Sequence, residues 1–214
     1  MTPRRGVGLP DGSGLLYIGC YTAESGGRGE GILALQRDPV GGAVEPVGVV
    51  AVTPSPSFLT RHPTLPVLYA VNELDDGFVS AWSLAPDATL HALARRSTGG
   101  AEPCHLAVTA DSRHLVTANY GSGSLAVHPL DPVGVPGERS DLVTHDNVVG
   151  TPAEERRSER QDGPHAHMVS PGPDGVLLAV DLGVDSIYRY DVAPTGQLLP
   201  RGPRLRTRPG SGPR

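Results

Sequence analysis

Apolar residues along this chain gather in short runs separated by turns rich in Pro, Asp and Gly, and the runs follow an order that repeats. Pro56-Ser57-Phe58-Leu59 precedes Val67-Leu68-Tyr69-Ala70-Val71-Asn72-Glu73, and Pro103-Cys104-His105-Leu106 precedes His114-Leu115-Val116-Thr117-Ala118-Asn119-Tyr120. A third copy pairs Pro164-His165-Ala166-His167-Met168 with Leu177-Leu178-Ala179-Val180-Asp181-Leu182. In the copy that starts at Pro103, residues 105–109 read as a first strand, 110–113 as a turn, 115–120 as a second strand and 124–130 as a third. Gly121-Ser122-Gly123 closes the hairpin, because glycine supplies the positive φ that a short loop needs. A weaker fourth strand fits 141–149. The same template places strands two and three at 67–73 and 78–84, at 176–182 and 186–192, and near the start of the chain at 15–22 and 31–35. Four antiparallel strands in a repeat of about 40–50 residues predict an all-β fold built from propeller blades.

The blades fall near 15–52, 56–97, 103–149 and 164–207, after an irregular leader over 1–14, and Gly212-Pro213-Arg214 reads as the start of a fifth. Nothing upstream of Leu15 reads as a first strand; in a closed propeller that strand comes from the far end of the chain. The expectation is a partial propeller that breaks off after about four blades, with open blade edges able to associate, and a monomer where the ring is complete. The charged stretch 151–163 is either a solvated insertion or a loop bordering the channel mouth.

Composition narrows the picture. With 28 Gly and 22 Pro the chain suits many short strands and turns, and aromatics at 4% leave the core to Val, Leu and Ala. A net charge of -5, with arginines scattered along the chain and no lysine, argues against a nucleic-acid surface. Residues 1–14 hold Arg4 and Arg5 but no apolar signal core, and no segment approaches a membrane span, so a cytoplasmic protein is expected. Cys20 and Cys104 lie in different repeats without CxxC spacing and are expected to be free thiols. No GxSxG elbow, P-loop or post-strand GxGxxG is present, which sets aside serine-nucleophile and nucleotide chemistry.

In a propeller the first strand of each blade lines the central channel, so polar residues at its start converge. That geometry selects Ser57, His105, His165, His167 and Arg214. Glu73, Asn119 and Asp181 end the second strands and are expected to occupy equivalent places in three blades. Glu73 either caps the turn before Gly77 or faces the channel as a base, and the second reading is preferred. Asn119 and Asp181 either bond nearby backbone N–H groups or contact the ligand. His165 and His167 are two residues apart, so in extended chain their side chains point the same way. Catalysis or substrate binding, a bridge between inner strands, and a metal site with Asp181 as third ligand are all open for them, and no metal is expected.

Tyr17-Ile18-Gly19-Cys20-Tyr21-Thr22, the two segments that begin at Pro56 and Pro103, Ala118-Asn119-Tyr120, Gln161-Asp162-Gly163-Pro164-His165-Ala166-His167 and Asp181-Leu182-Gly183 occur here in order. Together they resemble the lactonase family of seven-bladed β-propellers over residues 15–214. The resemblance implies a lactone hydrolase that converts 6-phospho-D-glucono-1,5-lactone to 6-phosphogluconate in the pentose phosphate pathway, without a cofactor. Its partner would be a small sugar lactone, with no nucleic acid and no membrane. It implies Glu73 or one of His165 and His167 as the base, His105 and the other histidine as donors, and Arg214 for the phosphate. Ser57, Asn119 and Asp181 complete the substrate-binding candidates. The family's fold is shared with a fungal enzyme that forms a lactone from carboxymuconate. A non-catalytic binding propeller and an enzyme for non-phosphorylated or muconate-type lactones therefore stay open.

Overall fold

A computed structural model describes residues 14–146, 159–172 and 174–214, which form four antiparallel sheets in chain order. Strands β1 (Leu15–Gly19), β2 (Gly31–Arg37) and β3 (Val44–Val52) make the first. The second holds β4 (Leu59–Arg61), β5 (Val67–Asn72), β6 (Phe78–Leu84) and β7 (Leu90–Ser97). The third holds β8 (Pro103–Val108), β9 (His114–Asn119), β10 (Ser124–Pro129) and β11 (Asp141–Thr144). The fourth holds β12 (Ala166–Pro171), β13 (Leu177–Asp181), β14 (Ser186–Val192) and β15 (Leu198–Pro200), with β16 (Leu205–Arg206) also paired to β14. The weak fourth strand expected from 141 is real but ends at Thr144, and its remainder, residues 147–149, lies outside the described residues. So do residues 1–13 of the leader and 151–158 of the charged stretch.

Each sheet is a blade, and successive blades stack face to face. The period-2 alternation of a strand sends neighbouring side chains to opposite faces. Leu68 and Ala70 of β5 therefore pack with Ile32 of the first blade and with Trp82 and Leu90. Val67, Tyr69 and Val71 of the same strand pack with Leu106, Val108 and Leu115 of the third. The third and fourth blades join through Val116, Ala118, Leu125, Val127, Val169, Leu177 and Tyr190. This explains why β5 and β9 are buried at every position, whereas β1, covered on one face, leaves Leu16 and Ile18 exposed. At about 1.5–3 kcal/mol per buried aliphatic or aromatic side chain, these interblade layers dominate the stability of the fold.

Two hairpin glycines are required by close approach. A Cβ at Gly123, where φ is +58°, would meet the Pro164 carbonyl oxygen at 2.4 Å, and one at Gly77 would meet Pro103 Cδ at 2.4 Å. The hairpin that joins strands two and three of one blade thus abuts the chain entering the inner strand of the next.

Strand pairing corrects one expected register. Asn72 faces Phe78, Asn119 faces Ser124 and Asp181 faces Ser186 across the second hairpin of each blade. The counterpart of Asn119 and Asp181 is therefore Asn72, and Glu73 lies one residue further on, in register with Tyr21, Tyr120 and Leu182. A repeated backbone bond marks the same register: the N–H groups of Glu73, Tyr120 and Leu182 donate to the carbonyls of Ser55, Glu102 and His165, each at 2.9 Å. Along the inner strands Leu59, Leu106 and Val169 are equivalent, because they face Ala70, Thr117 and Ala179. Counting back, Ser57, Cys104 and His167 share a position, and Ala166, not Pro164, takes the place of Pro56 and Pro103.

Candidate active site

Those two sets of equivalent positions meet. Ser57, Cys104 and His167, near the start of the inner strands, and Tyr21, Glu73 and Tyr120, just past the second strands, line one cleft of ≈ 330 Å³ together with Arg160. Residues two apart on an extended strand share a face, and residues just past a strand end are free to turn toward the hub. The short 3-10 turn Glu159–Gln161 brings Arg160 to the rim, so the described end of the charged stretch borders the cleft.

Among the described residues, Glu73 is the carboxylate that lines the cleft. Tyr21 Oη donates to its Oε2 at 2.9 Å, and its backbone carbonyl accepts from Ser25 Oγ at 2.8 Å. Burial, followed by the hydrogen bond to Glu73 and its charge, pushes the Tyr21 phenol up to about 12, so it stays a donor at neutral pH. Burial likewise raises Tyr120 above its ordinary value. The Cys104 thiol is pushed up to about 12 by burial and then by the Glu73 charge, and it contacts the carbonyls of Ala166 and His167 at 3.7 and 3.4 Å. It keeps its proton and is a poor nucleophile at neutral pH. Ser57 Oγ is buried beside the Tyr21 phenol. His167 titrates below the ordinary histidine value, because of burial first and then the Arg214 guanidinium, and so presents a neutral imidazole.

The other nominated residues sit around this cleft. His105 turns to the interblade face, packs tilted against the Phe58 ring at 4.1 Å and accepts at Nδ1 from the Val169 N–H at 3.4 Å. His165 stacks on the Tyr120 ring at 4.5 Å and contacts the Tyr120 carbonyl through Nδ1 at 2.9 Å and Asp162 through Nε2 at 2.8 Å. His167 meets the same Tyr120 ring at 5.9 Å, nearly perpendicular, so the two histidines do lean on one partner. Asn119 is buried and donates from Nδ2 to Ser124 Oγ at 3.0 Å. Asp181 Oδ1 accepts the backbone N–H groups of His165, Gly183 and Val184 at 2.8, 3.0 and 3.2 Å, and its Oδ2 accepts from His145 Nδ1 at 2.6 Å. Thr53 and Asn72 form the corresponding clasp between the first two blades, at 2.9 Å. Arg214 is exposed, outside the lining, with its charge felt at His167. Among the described residues no three His, Cys, Asp or Glu side chains could hold a metal ion, and no helix is long and apolar enough to cross a membrane.

The sequence reading did not nominate Tyr21, Cys104, Tyr120 or Arg160 as site residues. Aligning second strands by the leucine near the start of each run, Leu16, Leu68 and Leu115, would have placed Tyr21 and Tyr120 beside Glu73. Arg160 carries no repeat signal at all.

Burial also predicts how stability follows pH. His105, His114, His128 and His167 all titrate below 6.5 with burial as the leading cause, His105 at about 4. Between 6.5 and the folded values the unfolded chain binds more protons, so this stabilisation is complete above 6.5 and is lost as pH falls toward 4. The urea midpoint is expected to decline steadily over that window. A midpoint unchanged from pH 6.5 to 4 would contradict the assignment.

Residues 15–214 match the family described as lactonase, 7-bladed β-propeller. The chain is 29% identical over 201 residues to the 6-phosphogluconolactonase of Bacillus subtilis strain 168, covering 92% of this chain and 54% of that protein. The periplasmic gluconolactonase of Pseudomonas aeruginosa superposes with a TM-score of 0.82 at 30% identity, over 94% of this chain and 56% of that one. A crystal structure from Bacteroides fragilis NCTC 9343 superposes with a TM-score of 0.81 at 33% identity, over 94% and 56%. The chain spans about half the length of the curated relatives it matches.

Proposed function

The chain belongs to the lactonase family of seven-bladed β-propellers, and on that premise we propose that the protein hydrolyses 6-phospho-D-glucono-1,5-lactone to 6-phosphogluconate, as a cytoplasmic step of the pentose phosphate pathway. The observation that supports this most is the cleft itself, where a carboxylate held by one phenol lies with a second phenol, a buried hydroxyl and a neutral imidazole. Glu73, with Oε2 engaged by Tyr21, takes a proton from water as the water oxygen attacks the lactone carbonyl carbon. Tyr120 Oη and Ser57 Oγ donate to the carbonyl oxygen as negative charge develops there. Collapse of the tetrahedral intermediate breaks the bond to the ring oxygen, and Glu73 returns the proton to that oxygen. His167, neutral at pH 7, also lines the cleft and orients the water or the ring oxygen.

The test is acid release followed by pH-stat, with purified protein carrying this chain and the phosphorylated lactone. A rate well above spontaneous ring opening is expected; folded protein with no excess rate would overturn the reading. The name of the Pseudomonas relative favours a second reading, hydrolysis of unphosphorylated glucono-1,5-lactone. Running both lactones in parallel separates the two.

A further inference from the structure

We propose that His165 is a positioning residue that acts through Tyr120, holding the Tyr120 phenol at the cleft in place of contacting substrate itself; this rests on the lactonase reading above. His165 is built into the join between two blades. Its backbone N–H is held by the buried Asp181 carboxylate at 2.8 Å, and its carbonyl accepts from the Leu182 N–H at 2.9 Å. Its ring lies on the Tyr120 ring, 19° from parallel with centroids 4.5 Å apart. Nδ1 donates to the Tyr120 backbone carbonyl at 2.9 Å, so ring and main chain of one residue are gripped together. Nε2 faces Asp162 at 2.8 Å. Both ring nitrogens thus lie against protein oxygens, and the ring is absent from the cleft lining, whereas Tyr120 is part of it.

The surroundings leave His165 little freedom. A Cβ on Gly183 would meet the Gly163 carbonyl oxygen at 1.8 Å and His165 Cδ2 at 2.8 Å, so the fourth blade's hairpin packs directly behind the imidazole. Tyr120 follows the end of β9, where its N–H bonds the Glu102 carbonyl at 2.9 Å and its carbonyl also accepts from the Gly123 N–H at 3.3 Å, which holds the main chain but not the direction of the ring. The stack on His165 restrains the ring itself. Fixing a donor in the geometry that the transition state needs is worth more than the donor's mere presence, since a displacement of about 1 Å can cost about a hundredfold in rate.

A double-mutant cycle on the protein carrying this chain tests this, with kcat and KM measured for 6-phospho-D-glucono-1,5-lactone. Tyr120→Phe is expected to lower kcat at least tenfold. His165→Asn is expected to lower kcat by about tenfold with little change in KM. In the Tyr120→Phe background, His165→Asn should then cost less than about twofold, because the phenol it positions is gone. His165→Phe keeps the stack and loses the carbonyl bond, so it should retain more activity than His165→Asn and serves if the latter folds poorly. In a ¹³C-tyrosine spectrum, the ring signal of Tyr120 should lose its ring-current shift in His165→Asn. Losses that multiply in the double variant would show that His165 acts independently of Tyr120 and overturn the inference alone. Full activity in His165→Asn would do the same. A parent protein without lactone hydrolysis would instead remove the lactonase reading and this inference with it.

Discussion

Glu73→Gln is expected to lower kcat for lactone hydrolysis by about a hundredfold or more while leaving the fold intact. The amide keeps the shape of the side chain and can still accept from Tyr21 Oη, which donates at 2.9 Å in the parent. It removes the one carboxylate that lines the cleft among the described residues, and with it the group that takes the proton from the attacking water. Glu73 is only partly buried and its neighbours are a phenol and a neutral thiol, so no buried ion pair is broken by the change. The check is a steady-state assay beside a circular dichroism melt. A loss below threefold in kcat would mean that the proton goes elsewhere, with His167 the next group to replace.

Asp181→Ala is expected to cost about 3–5 kcal/mol of stability, because it leaves several buried hydrogen-bond donors without their acceptor, at about 1–3 kcal/mol each. The carboxylate is fully buried, as is the His145 side chain that it meets at 2.6 Å. Three backbone N–H groups also lose their acceptor in the variant, those of His165, Gly183 and Val184. Asp181→Asn should recover most of the loss. Its oxygen can take the three backbone bonds, while its NH₂ donates to Nδ1 of the other His145 tautomer. Urea denaturation of both variants checks this, and an alanine variant within about 1 kcal/mol of the parent would contradict it.

The blade pattern could be read from the chain because it is written in backbone periodicity. Apolar runs such as Val67-Leu68-Tyr69-Ala70-Val71 must cover two faces in a stack of sheets, and a run apolar at successive positions says so. Turn glycines such as Gly77 and Gly123 mark where hairpins close. The site was harder to read, since it depends on register, where a slip of one residue changes a side chain's direction. Anchoring the repeats on prolines set Pro164 against Pro103, two residues from its true counterpart Ala166, and so drew His165 into the channel with His167. Grouping Glu73 with Asn119 and Asp181 hid the fact that Tyr21 and Tyr120 share its position. Asn119 and Asp181 belong to the turn and interblade bonding that their residue types already suggested. Arg160 reaches the cleft through a non-repeating loop, for which no periodic signal exists.

The account turns on the claim that two sets of equivalent blade positions, Ser57 with Cys104 and His167, and Tyr21 with Glu73 and Tyr120, enclose the reacting lactone. The most direct measurement is a crystal structure of the protein carrying this chain with 6-phosphogluconate bound. The product's carboxylate is expected within hydrogen-bond distance of Tyr120 or Ser57 and beside Glu73. Product held at another face, with none of these six side chains in contact, would contradict the account.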